Sequence, residues 1–464
     1  MGTVGTLCSG SDCIMVFFEN LAEFAKSQYG VGLPVKQRFA CESDDDKMSF
    51  ILQFHSPEFV FGNTCGMAEQ YSKDLKAGSI VVTPGADIAK EFVGCVADKT
   101  GKTGESFSEG YEHVKKYKPK MVFLENVAPL METPKGGGQS DAAYIATQMM
   151  EAGYVGKWFE VQAAGYGSFA CRKRLYYVGF LDGPDWGKQA SEFRLRQMGE
   201  MLTLMKVSEG CVEPSDFLLS DADLAARPAA AERGVFRPGQ AAEKPQKGAK
   251  ASSKPEKIPA SFDLHNEYYK EKFISWPPVK CTCFDGIFDH LTDRECQLLY
   301  FISNVFQNSS DSEGSRIAFA DLNLSMKFMC PKDKTGEIRN SPWKPCPSTF
   351  VGSMKVVMRY LPEGIEIDDS PCAAPAWEQW KYRLLTGVEY MAIVGWCYKR
   401  WGEKPPDSAL LTDLAGNAFS LFAAGPIVIS AFAASVMPPP PVIDADAASA
   451  AEGLAAVIDD SLAD

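Results

Sequence analysis

Four side chains that could carry out covalent chemistry follow one another in the N-terminal half of the chain. Cys95 is a thiol at the end of an extended apolar run, and Glu125 ends a second run in the text KYKPKMVFLEN. Arg172 and Arg174 precede a third run in ACRKRLYYVG. A thiolate is a nucleophile, a carboxylic acid can exchange a proton with a substrate, and a guanidinium group can lower the pKa of a nearby thiol. These residue types in this order predict an acid-assisted site with a covalent intermediate.

A second group of polar residues stands where predicted strands end. Gly10 and Ser11 lie in the turn between the first strand and the first helix, where the backbone can approach a ligand closely and the helix start favours a carboxylate. Glu42 ends the second strand, where an acid can accept both ribose hydroxyls of a nucleotide-like cofactor. Asn63 follows the third strand and could bond an adenine edge. We interpret these positions as a site for S-adenosylmethionine; NAD would need similar geometry, but the first turn lacks the GxGxxG pattern.

The elements that must position these residues alternate between strands and helices in residues 1–182. Strand-like runs occur at 4–8, 37–41, 59–61, 80–82, 121–124 and 175–180. Amphipathic, helix-like stretches lie between several of them, for example at 14–27 and 108–117. This alternation predicts an α/β fold with a doubly wound parallel sheet, in which ligands bind at the carboxyl ends of the strands.

The composition limits the classes of protein and partner. The net charge is −13, which disfavours indiscriminate nucleic-acid binding, although the basic stretch 227–257 could contact phosphates or serve as a solvated linker. No apolar run is long enough for a membrane span, and we expect no membrane partner. The 14 cysteines show no paired CxxC spacing, so we expect free thiols and no metal, with a zinc site at Cys281, Cys283 and Cys296 as the alternative.

The order of cysteine, acid and paired arginines resembles that of the cytosine-specific (carbon-5) DNA methyltransferase family, in a divergent eukaryotic or protist-like form. Gly10 and Glu42 match the first two motifs of the family. Asn63 stands where the family usually has Asp, Gly94 where it has Pro before the nucleophile, and Ala170 where its arginine motif begins with Gln.

Two C-terminal segments extend the resemblance. KYRLLTGVEYMAIVGW resembles the penultimate motif, a mostly structural element with Arg383 and Glu389 at the matching positions. LLTDLAGNAFS resembles the final motif, in which Gly416 and Asn417 open a helix that closes over the methionine end of the cofactor.

The resemblance implies a Rossmann-like, S-adenosylmethionine-dependent methyltransferase sheet with a smaller, irregular target-recognition lobe. Residues 1–185 would form the catalytic, cofactor-binding domain, and 186–380 the recognition lobe, which contains a flexible basic insertion at 226–260. Residues 381–436 would return to the catalytic domain, and 437–464 would form a disordered acidic tail.

The same resemblance implies a mechanism. Cys95 would add to carbon 6 of cytosine, which makes carbon 5 nucleophilic enough to accept a methyl group. Glu125 would hydrogen-bond ring nitrogen 3 and the exocyclic amine, with Arg172 supporting it, and Arg174 would hold the oxygen on carbon 2. Because duplex DNA buries its bases, the target cytosine would be flipped into the site.

Two other functions are open from the sequence. One branch of the family modifies tRNA and carries a Cys-Phe-Thr signature in its recognition lobe, of which Cys283-Phe284-Asp285 is a partial match. A degenerate relative would bind cofactor or nucleic acid without turnover, which the departures from the family motifs would favour.

Because the chain begins almost at the cofactor motif, we expect a separate targeting protein as a partner. We expect a nuclear location, with the cytoplasm as the alternative.

Overall fold

The computed structural model describes the chain in separate ranges. The described residues are 2–7, 11–33, 35–62, 102–133, 137–183, 187–207, 212–226, 284, 287, 290–305, 316–323, 342–347, 354–361, 364–366, 370, 376–396 and 406–437. Outside them lie the predicted site residues Gly10, Asn63 and Cys95, the predicted strand 80–82, residues 227–260 of the predicted insertion, and the tail from 438 onward.

Strands and helices are numbered in chain order over these ranges. They are β1 (Gly2–Leu7), α1 (Cys13–Tyr29), β2 (Val35–Cys41), α2 (Asp45–Phe54), β3 (Phe59–Phe61), α3 (Lys102–Tyr117), β4 (Met121–Val127), α4 (Asp141–Glu151), β5 (Tyr154–Gln162), β6 (Lys173–Leu181), α5 (Lys188–Leu204), α6 (Asp221–Ala226), α7 (Asp293–Val305), β7 (Ile317–Asp321), β8 (Val356–Tyr360), α8 (Ala376–Gln379), β9 (Lys381–Leu384), α9 (Gly387–Ile393), α10 (Ser408–Asn417) and α11 (Leu421–Val436). Every predicted strand except 80–82 overlaps an observed strand, and the two predicted helices overlap α1 and α3.

The first sheet, β1-β2-β3, is parallel, as the alternation of strands and helices predicts. α1 connects β1 to β2 and α2 connects β2 to β3, so each connection is long enough to cross over the sheet. α1 ends at Gly30, whose φ of 65° lies in the left-handed region that favours glycine. α2 begins after Asp44, whose side chain accepts the amide hydrogens of Asp46 and Lys47. These local features start and stop the helices, and the carboxyl ends of the three strands lie at one edge.

The second sheet, β4-β6-β5, departs from the predicted all-parallel arrangement, because β6 is antiparallel to both neighbours. The sequence pattern also fails to predict β5. A short connection around the 3₁₀ turn Ala163–Tyr166 joins β5 to β6, and it is too short for the crossover that a parallel pair needs. A hairpin therefore forms where another parallel strand is predicted. The α/β class itself is confirmed.

Helices cover both faces of the second sheet. On β4, Phe123 packs in a cluster with Val178 and Ile427, whereas Leu124 packs in another cluster with Ile145. Successive residues of a strand point to opposite faces, so the continuous apolar run of β4 is explained by burial on both sides. α5 and α11 contribute to the first cluster, and α3 and α4 to the second.

The predicted recognition lobe contains a small antiparallel sheet, β7-β8-β9, with a core that α7 completes. The core includes Phe284, Leu299, Trp343, Val357 and Tyr382. This sheet is the regular part of a lobe that the sequence predicts to be irregular.

Two predicted domain boundaries fall inside packed units. The boundary at 185/186 assigns α5 to the recognition lobe, but α5 packs against β5 and α11. The boundary at 380/381 separates β8 from β9, which are hydrogen-bonded neighbours. In both cases tertiary contacts join segments that their composition places apart.

The penultimate motif forms a buried polar junction. Thr386 and Glu389 cap the start of α9 reciprocally, each side chain accepting the other residue's amide hydrogen. The fully buried Glu389 carboxylate also pairs with Arg383, with an Nη2–Oε1 distance of 2.7 Å, and accepts the amide hydrogen of Leu219 at 2.9 Å. This motif therefore ties β9 and α9 to the chain that precedes α6.

Within the described ranges, no single helix is long and apolar enough to cross a membrane. α10 and α11 meet at an angle of 45°, and only the two together have the length and apolar composition of a membrane span. Both helices contribute buried residues to the cores of the protein.

Candidate active site

β4 and β6 bring three of the predicted catalytic residues together. In their antiparallel register, Glu125 lies opposite Tyr176 and Val127 lies opposite Arg174. Directly opposed residues share a face of the sheet, as do residues two apart on one strand. Glu125, Arg174 and Tyr176 therefore lie on the same face, and Arg172 precedes β6 at the same spacing. This is the face that α11 covers.

Glu125 and Arg174 form a buried ion pair. Arg174 Nε lies 2.9 Å from Glu125 Oε1, and only 11% and 9% of the two side-chain surfaces are exposed. Arg174 also donates from Nη1 to the carbonyl of Lys173 at 2.8 Å, so its guanidinium group is held from two directions. The pair fixes the carboxyl group near the carboxyl end of β4.

Burial raises the pKa of Glu125, and the charges of Arg172 and Arg174 oppose this change. The carboxyl group therefore keeps its proton to a higher pH than a solvated glutamate does. A carboxyl group that retains its proton can donate one hydrogen bond and accept another. This capacity suits a substrate that presents an acceptor next to a donor.

Arg172 holds the C-terminal segment against the site. Its Nη2 donates to the carbonyl of Ala418 at 2.7 Å and lies 3.4 Å from that of Gly416. The sequence assigns Arg172 to support Glu125 and Arg174 to the substrate, but in the structure the direct ion pair belongs to Arg174. The reason is register, because Arg174 lies within the ladder beside Glu125 and Arg172 precedes β6. Arg172 acts on Glu125 through its charge.

Two predicted cofactor-binding residues lie at the edge of the parallel sheet. Ser11 is buried in the turn before α1, with its Oγ 3.0 Å from the Sγ of Cys13. Glu42 directly follows β2, and its Oε1 accepts the amide hydrogens of Ser43 and Asp44 at 2.9 and 3.1 Å. Both residues stand at the carboxyl ends of parallel strands, where an α/β sheet binds its ligands.

The prediction that Gly416 and Asn417 open a helix is wrong. α10 begins after Asp407, whose side chain accepts the amide hydrogens of the next turn, and Asn417 is the last residue of that helix. The Nδ2 group of Asn417 donates to the backbone carbonyl and the carboxylate of Asp413 at 3.0 and 3.1 Å. The cap at Asp407 starts the helix earlier than the motif implies, so Asn417 stands exposed at the end of α10, next to Ala418, whose carbonyl Arg172 contacts.

The structure adds Asp12, which the sequence reasoning does not single out. Its φ of 54° is a left-handed conformation that Asp tolerates better than most residues. Oδ2 accepts hydrogen bonds from Thr6 Oγ1 at 3.1 Å and from Gln37 Nε2, whereas the buried Oδ1 has no hydrogen-bond partner among the described residues. Burial raises the pKa of Asp12 to about 6, against the opposing effects of His55 and the two hydrogen bonds. An acid within the turn text SGSD is the feature that could have identified it.

A small cavity connects Asp12 with the catalytic face. It has a volume of about 20 Å³, room for roughly one water molecule. Its polar lining residues are Thr6, Asp12, Glu125 and Tyr176, and α11 contributes apolar side chains. The Tyr176 hydroxyl is buried and, in the described part of the chain, has no hydrogen-bond partner. The turn before α1 and the Glu125 carboxyl group therefore border one space.

Cys13 lies within electrostatic reach of Arg172 but is not suited to be the nucleophile. Its Sγ accepts a hydrogen bond from Trp396 Nε1 at 2.9 Å. Burial raises the pKa of Cys13 to about 11, so the thiol stays protonated at neutral pH. The predicted nucleophile, Cys95, lies outside the described residues, and its role stays a prediction.

In the ranges that the structure describes, no group of three or more His, Cys, Asp or Glu side chains could hold a metal ion. Of the three cysteines named for a zinc site, Cys281 and Cys283 lie outside these ranges. Cys296 is half-buried in α7, with its Sγ 4.0 Å from the carbonyl oxygen of Leu291.

The fold is consistent with a Rossmann-like methyltransferase, with polar residues at the edge of a parallel sheet and an acid with arginines on the second sheet. A model of the C-5 cytosine-specific DNA methylase family matches residues 94–226, which include all four predicted catalytic residues. This match confirms the resemblance of the segment to that family. S-adenosylmethionine is the methyl donor of the family.

Individual relatives match shorter parts of the chain. The DNA (cytosine-5-)-methyltransferase DMT5 of Cryptococcus neoformans var. grubii is 29% identical over 152 residues, which are 30% of this chain and 6% of that protein. The type II methyltransferase M.Sau3AI of Staphylococcus aureus is 29% identical over 92 residues, which are 20% of this chain and 22% of that protein. The chain thus spans only a small part of either relative. Among solved structures, the Entamoeba histolytica methyltransferase EhMeth is similar with a TM-score of 0.45 and 11% identity, over 93% of this chain and 98% of that one.

Proposed function

We propose that the protein is a DNA cytosine-5 methyltransferase, which transfers a methyl group from S-adenosylmethionine to carbon 5 of cytosine. The observation that carries the proposal is the buried pair of Glu125 and Arg174, which lies within the segment that matches the family. An acid that retains its proton beside fixed positive charge is equipped to recognise a ring with an acceptor next to a donor.

Cytosine has this pattern, because ring nitrogen 3 is an acceptor and the neighbouring exocyclic amine is a donor. Glu125 in its protonated form donates to nitrogen 3 with one oxygen and accepts from the amine with the other. Burial raises the pKa of Glu125, so this form persists to a higher pH than in a solvated glutamate. When a thiolate adds to the ring, negative charge develops toward nitrogen 3 and the hydrogen bond from Glu125 strengthens. Glu125 therefore stabilises the transition state more than the ground state.

The rest of the cycle uses Cys95 and the arginines. The Cys95 thiolate forms a bond to carbon 6, and the ring electrons move to carbon 5, which then takes the methyl group that S-adenosylmethionine supplies. A base removes the carbon 5 proton, the bond between sulfur and carbon 6 breaks, and the thiolate is released. Arg174 keeps Glu125 in position, and Arg172 holds the C-terminal segment over the site.

Asp12 and the residues at the carboxyl edge of the parallel sheet have the donor set that S-adenosylmethionine needs. The methionine end of this cofactor carries an ammonium group, and the buried Oδ1 of Asp12 is an acceptor with no described partner. A cation there would stabilise the ionised form of Asp12, which burial alone disfavours. Glu42 would take the ribose hydroxyls, and Ser11 and Asn417 would lie at the methionine end.

Binding measurements test the role of Asp12 without turnover. The full chain and Asp12→Asn are titrated with S-adenosylhomocysteine and with methylthioadenosine, which lacks the amino-acid end. We expect Asp12→Asn to weaken S-adenosylhomocysteine binding by about tenfold or more, because a charge-assisted hydrogen bond is lost, and to leave methylthioadenosine binding unchanged. Equal losses for both ligands, or no loss for either, would make Asp12 a purely structural residue.

DNA is the favoured substrate because the family and the DMT5 relative are both named for DNA. The partial tRNA signature gives RNA little support. Its central residue, Phe284, is 1% exposed and packs against Tyr382 with ring centroids 4.7 Å apart. A phenylalanine that is buried in the lobe core is not available to contact a base.

We place the enzyme in the nucleus, with a separate protein directing it to its target.

The deciding experiment incubates the full chain with tritiated S-adenosylmethionine and unmethylated duplex DNA, with tRNA in parallel. Cys95→Ala tests the nucleophile, and Cys296→Ala is the matched thiol control because Cys296 lies in α7 of the recognition lobe. We expect label in DNA for the wild type and the control and none for Cys95→Ala. A duplex with fluorinated cytosine should trap the wild type covalently, because the carbon 5 proton that must leave is replaced by fluorine.

Each alternative has its own result. Label in tRNA alone would move the substrate to RNA. No label and no trapped adduct with either nucleic acid, while S-adenosylhomocysteine still binds, would refute methyl transfer and leave a cofactor-binding relative. Label that persists in Cys95→Ala would refute the assigned nucleophile.

A further inference from the structure

Two cysteine thiols lie next to each other where the arginine-bearing segment, residues 171–174, contacts the lobe that contains β7, β8 and β9. The Sγ atoms of Cys171 and Cys346 lie 3.3 Å apart, although 175 positions separate the two residues in the sequence. Cys171 directly precedes Arg172, and Cys346 belongs to the described segment 342–347. The proposed catalytic cycle uses neither thiol.

Backbone hydrogen bonds hold both cysteines in place. The Cys171 amide donates to the carbonyl of Pro347 at 3.1 Å. On the lobe side, Phe319 of β7 and Lys344 exchange two backbone hydrogen bonds at 2.8 and 2.9 Å. The segment 342–347 is therefore attached to the lobe sheet and to the arginine-bearing segment at once.

Trp343 anchors this segment in the lobe core. Its indole is buried and donates from Nε1 to the carbonyl of Ile302 at 3.2 Å. The Arg359 guanidinium stacks on the same ring, 4.5 Å from its centroid. Because this anchor is close to Cys346 in the chain, the Cys346 sulfur has little freedom to move away from its neighbour.

The two thiols differ in access. Cys171 is exposed, and Cys346 is half-buried. The pairing with Cys171, together with burial, raises the pKa of Cys346, so Cys346 keeps its proton while the exposed sulfur of Cys171 meets an oxidant first. Lys344 contributes positive charge beside the pair. An accessible thiol in a positive setting, with a second thiol within reach, is the arrangement of redox-sensitive cysteines.

We propose that Cys171 and Cys346 form a modification site that a peroxide converts reversibly into a disulfide. The Cys171 thiolate attacks one oxygen of hydrogen peroxide, the O–O bond breaks, and the sulfur becomes a sulfenic acid while the leaving hydroxide takes a proton from solvent and departs as water. The Cys346 thiol then attacks that sulfur, the S–S bond forms, and a second water leaves. The two sulfurs lose two electrons and the peroxide gains them.

The change in geometry is small. A disulfide has an S–S length of about 2.05 Å, so the two sulfurs need to approach by roughly 1.3 Å from their present separation. The bond joins the residue before Arg172 to the lobe and holds the two parts in one orientation. Its formation requires no methyl transfer, so the inference does not depend on the proposed function.

Peptide mapping of the full chain tests the site. Protein freed of reductant is treated with graded hydrogen peroxide, alkylated, digested without reduction and examined by mass spectrometry. Cys171→Ser and Cys346→Ser are the test variants, and Cys296→Ser is the control because Cys296 is another half-buried thiol of the lobe. We expect a cross-linked peptide pair in the wild type and the control. It should be absent from both test variants and disappear with dithiothreitol.

Hydrogen exchange of the wild type adds a readout that needs no variant. The segment 342–347 has three backbone amides, those of Trp343, Lys344 and Cys346. We expect oxidation to slow their exchange by about tenfold or more, and reduction to restore it. The proposal would be overturned if Cys171 and Cys346 were still reduced at a peroxide dose that oxidises Cys296. Disulfides from Cys171 to other cysteines would also overturn it. Unchanged exchange in the cross-linked protein would overturn the fixed orientation. Turnover is unsuitable as the readout, because peroxide would also attack a nucleophilic Cys95.

Discussion

Asp12 should make the stability of the protein depend on pH in the direction opposite to that of most carboxylates in folded proteins. Burial raises its pKa from 3.8 to about 6, so the folded state binds this proton more tightly than the unfolded chain does. The stability that protonated Asp12 contributes is fully present below pH 3.8 and is lost as the pH rises through about 6. Ionisation of Asp12 in the folded protein is therefore destabilising.

The magnitude follows from the pKa. At 1.36 kcal/mol for each tenfold change in proton affinity, the raised pKa corresponds to roughly 3 kcal/mol. Asp12 is only 1% exposed, so solvent screening does little to reduce this value. Asp12→Asn keeps the size and an acceptor oxygen but carries no charge. Its free energy of unfolding, relative to that of the wild type, should rise by about 3 kcal/mol from about pH 4 to about pH 7.

Urea unfolding of the full chain and of Asp12→Asn at several pH values measures this difference. Asp45→Asn is the matched control because Asp45 is an exposed carboxylate in the first turn of α2. We expect the difference from the wild type to grow with pH for Asp12→Asn, and by much more than for the control. A difference that stays constant within about 0.5 kcal/mol would refute a buried carboxyl group with a raised pKa.

The same carboxyl group should link pH to cofactor binding. An ammonium group favours ionised Asp12, so binding below about pH 6 must displace the proton. The affinity of the wild type for S-adenosylhomocysteine should then fall by up to about tenfold per pH unit, whereas that of Asp12→Asn should not. Calorimetric titration at several pH values measures both proteins. Parallel pH profiles would exclude Asp12 as the source of the dependence.

Three further changes examine the acid and the structures that support the site. Glu125→Gln removes the acidic proton and should lower turnover by about 10²–10⁴-fold, with the affinity for S-adenosylhomocysteine retained. Turnover of the wild type should fall as the pH rises through the raised pKa of Glu125. The variant should lack this decline. Arg383→Met leaves the buried Glu389 charge without its ion pair and should lower the free energy of unfolding by about 3–5 kcal/mol. Lys47→Met breaks an ion pair with the exposed Asp413 and should lower it by less than about 1 kcal/mol. Gly395→Ala places a methyl group 2.5 Å from a leucine Cβ at a φ of 108° and should cost more than about 2 kcal/mol.

Kinetics over a range of pH measure the first of these changes, and urea unfolding measures the others. Turnover of Glu125→Gln equal to that of the wild type would contradict proton donation. Equal destabilisation by Arg383→Met and Lys47→Met would contradict the importance of burial. A Gly395→Ala protein as stable as the wild type would mean that the backbone there relaxes without strain.

The chemistry of the site was predictable from the sequence because its signals are local. A polar residue that follows an apolar run marks the end region of a strand: Glu42 directly follows β2, and Glu125 lies two residues before the end of β4. Arg172 directly precedes β6 and Arg174 is its second residue, a spacing of two that places both on one face. The family and the α/β class followed from these residues and from the alternation of elements, and both are confirmed.

The register of the strands and the burial of the charged groups could be determined only from the tertiary structure. β6 is antiparallel because its connection to β5 is short, and its register sets Arg174, not Arg172, beside Glu125. Asp12 has a raised pKa because packing removes its carboxyl group from solvent, although the hydrogen bonds from Thr6 and Gln37 oppose this change. Neither result can be read from a hydrophobic pattern, since a pattern identifies the buried face of an element but not its neighbours.

The thiol pair shows the same limit over a longer distance. Cys171 and Cys346 stand in unrelated local sequences, 175 positions apart, and neither sequence signals the other. The periodicities of helices and strands extend over a few residues, and turns and caps over fewer. The sequence by itself thus predicted most of the elements of the two sheets, the candidate site residues and the resemblance to the family. Packing of the whole chain decided which charges are buried together and which thiols can react, because those properties depend on contacts between distant segments.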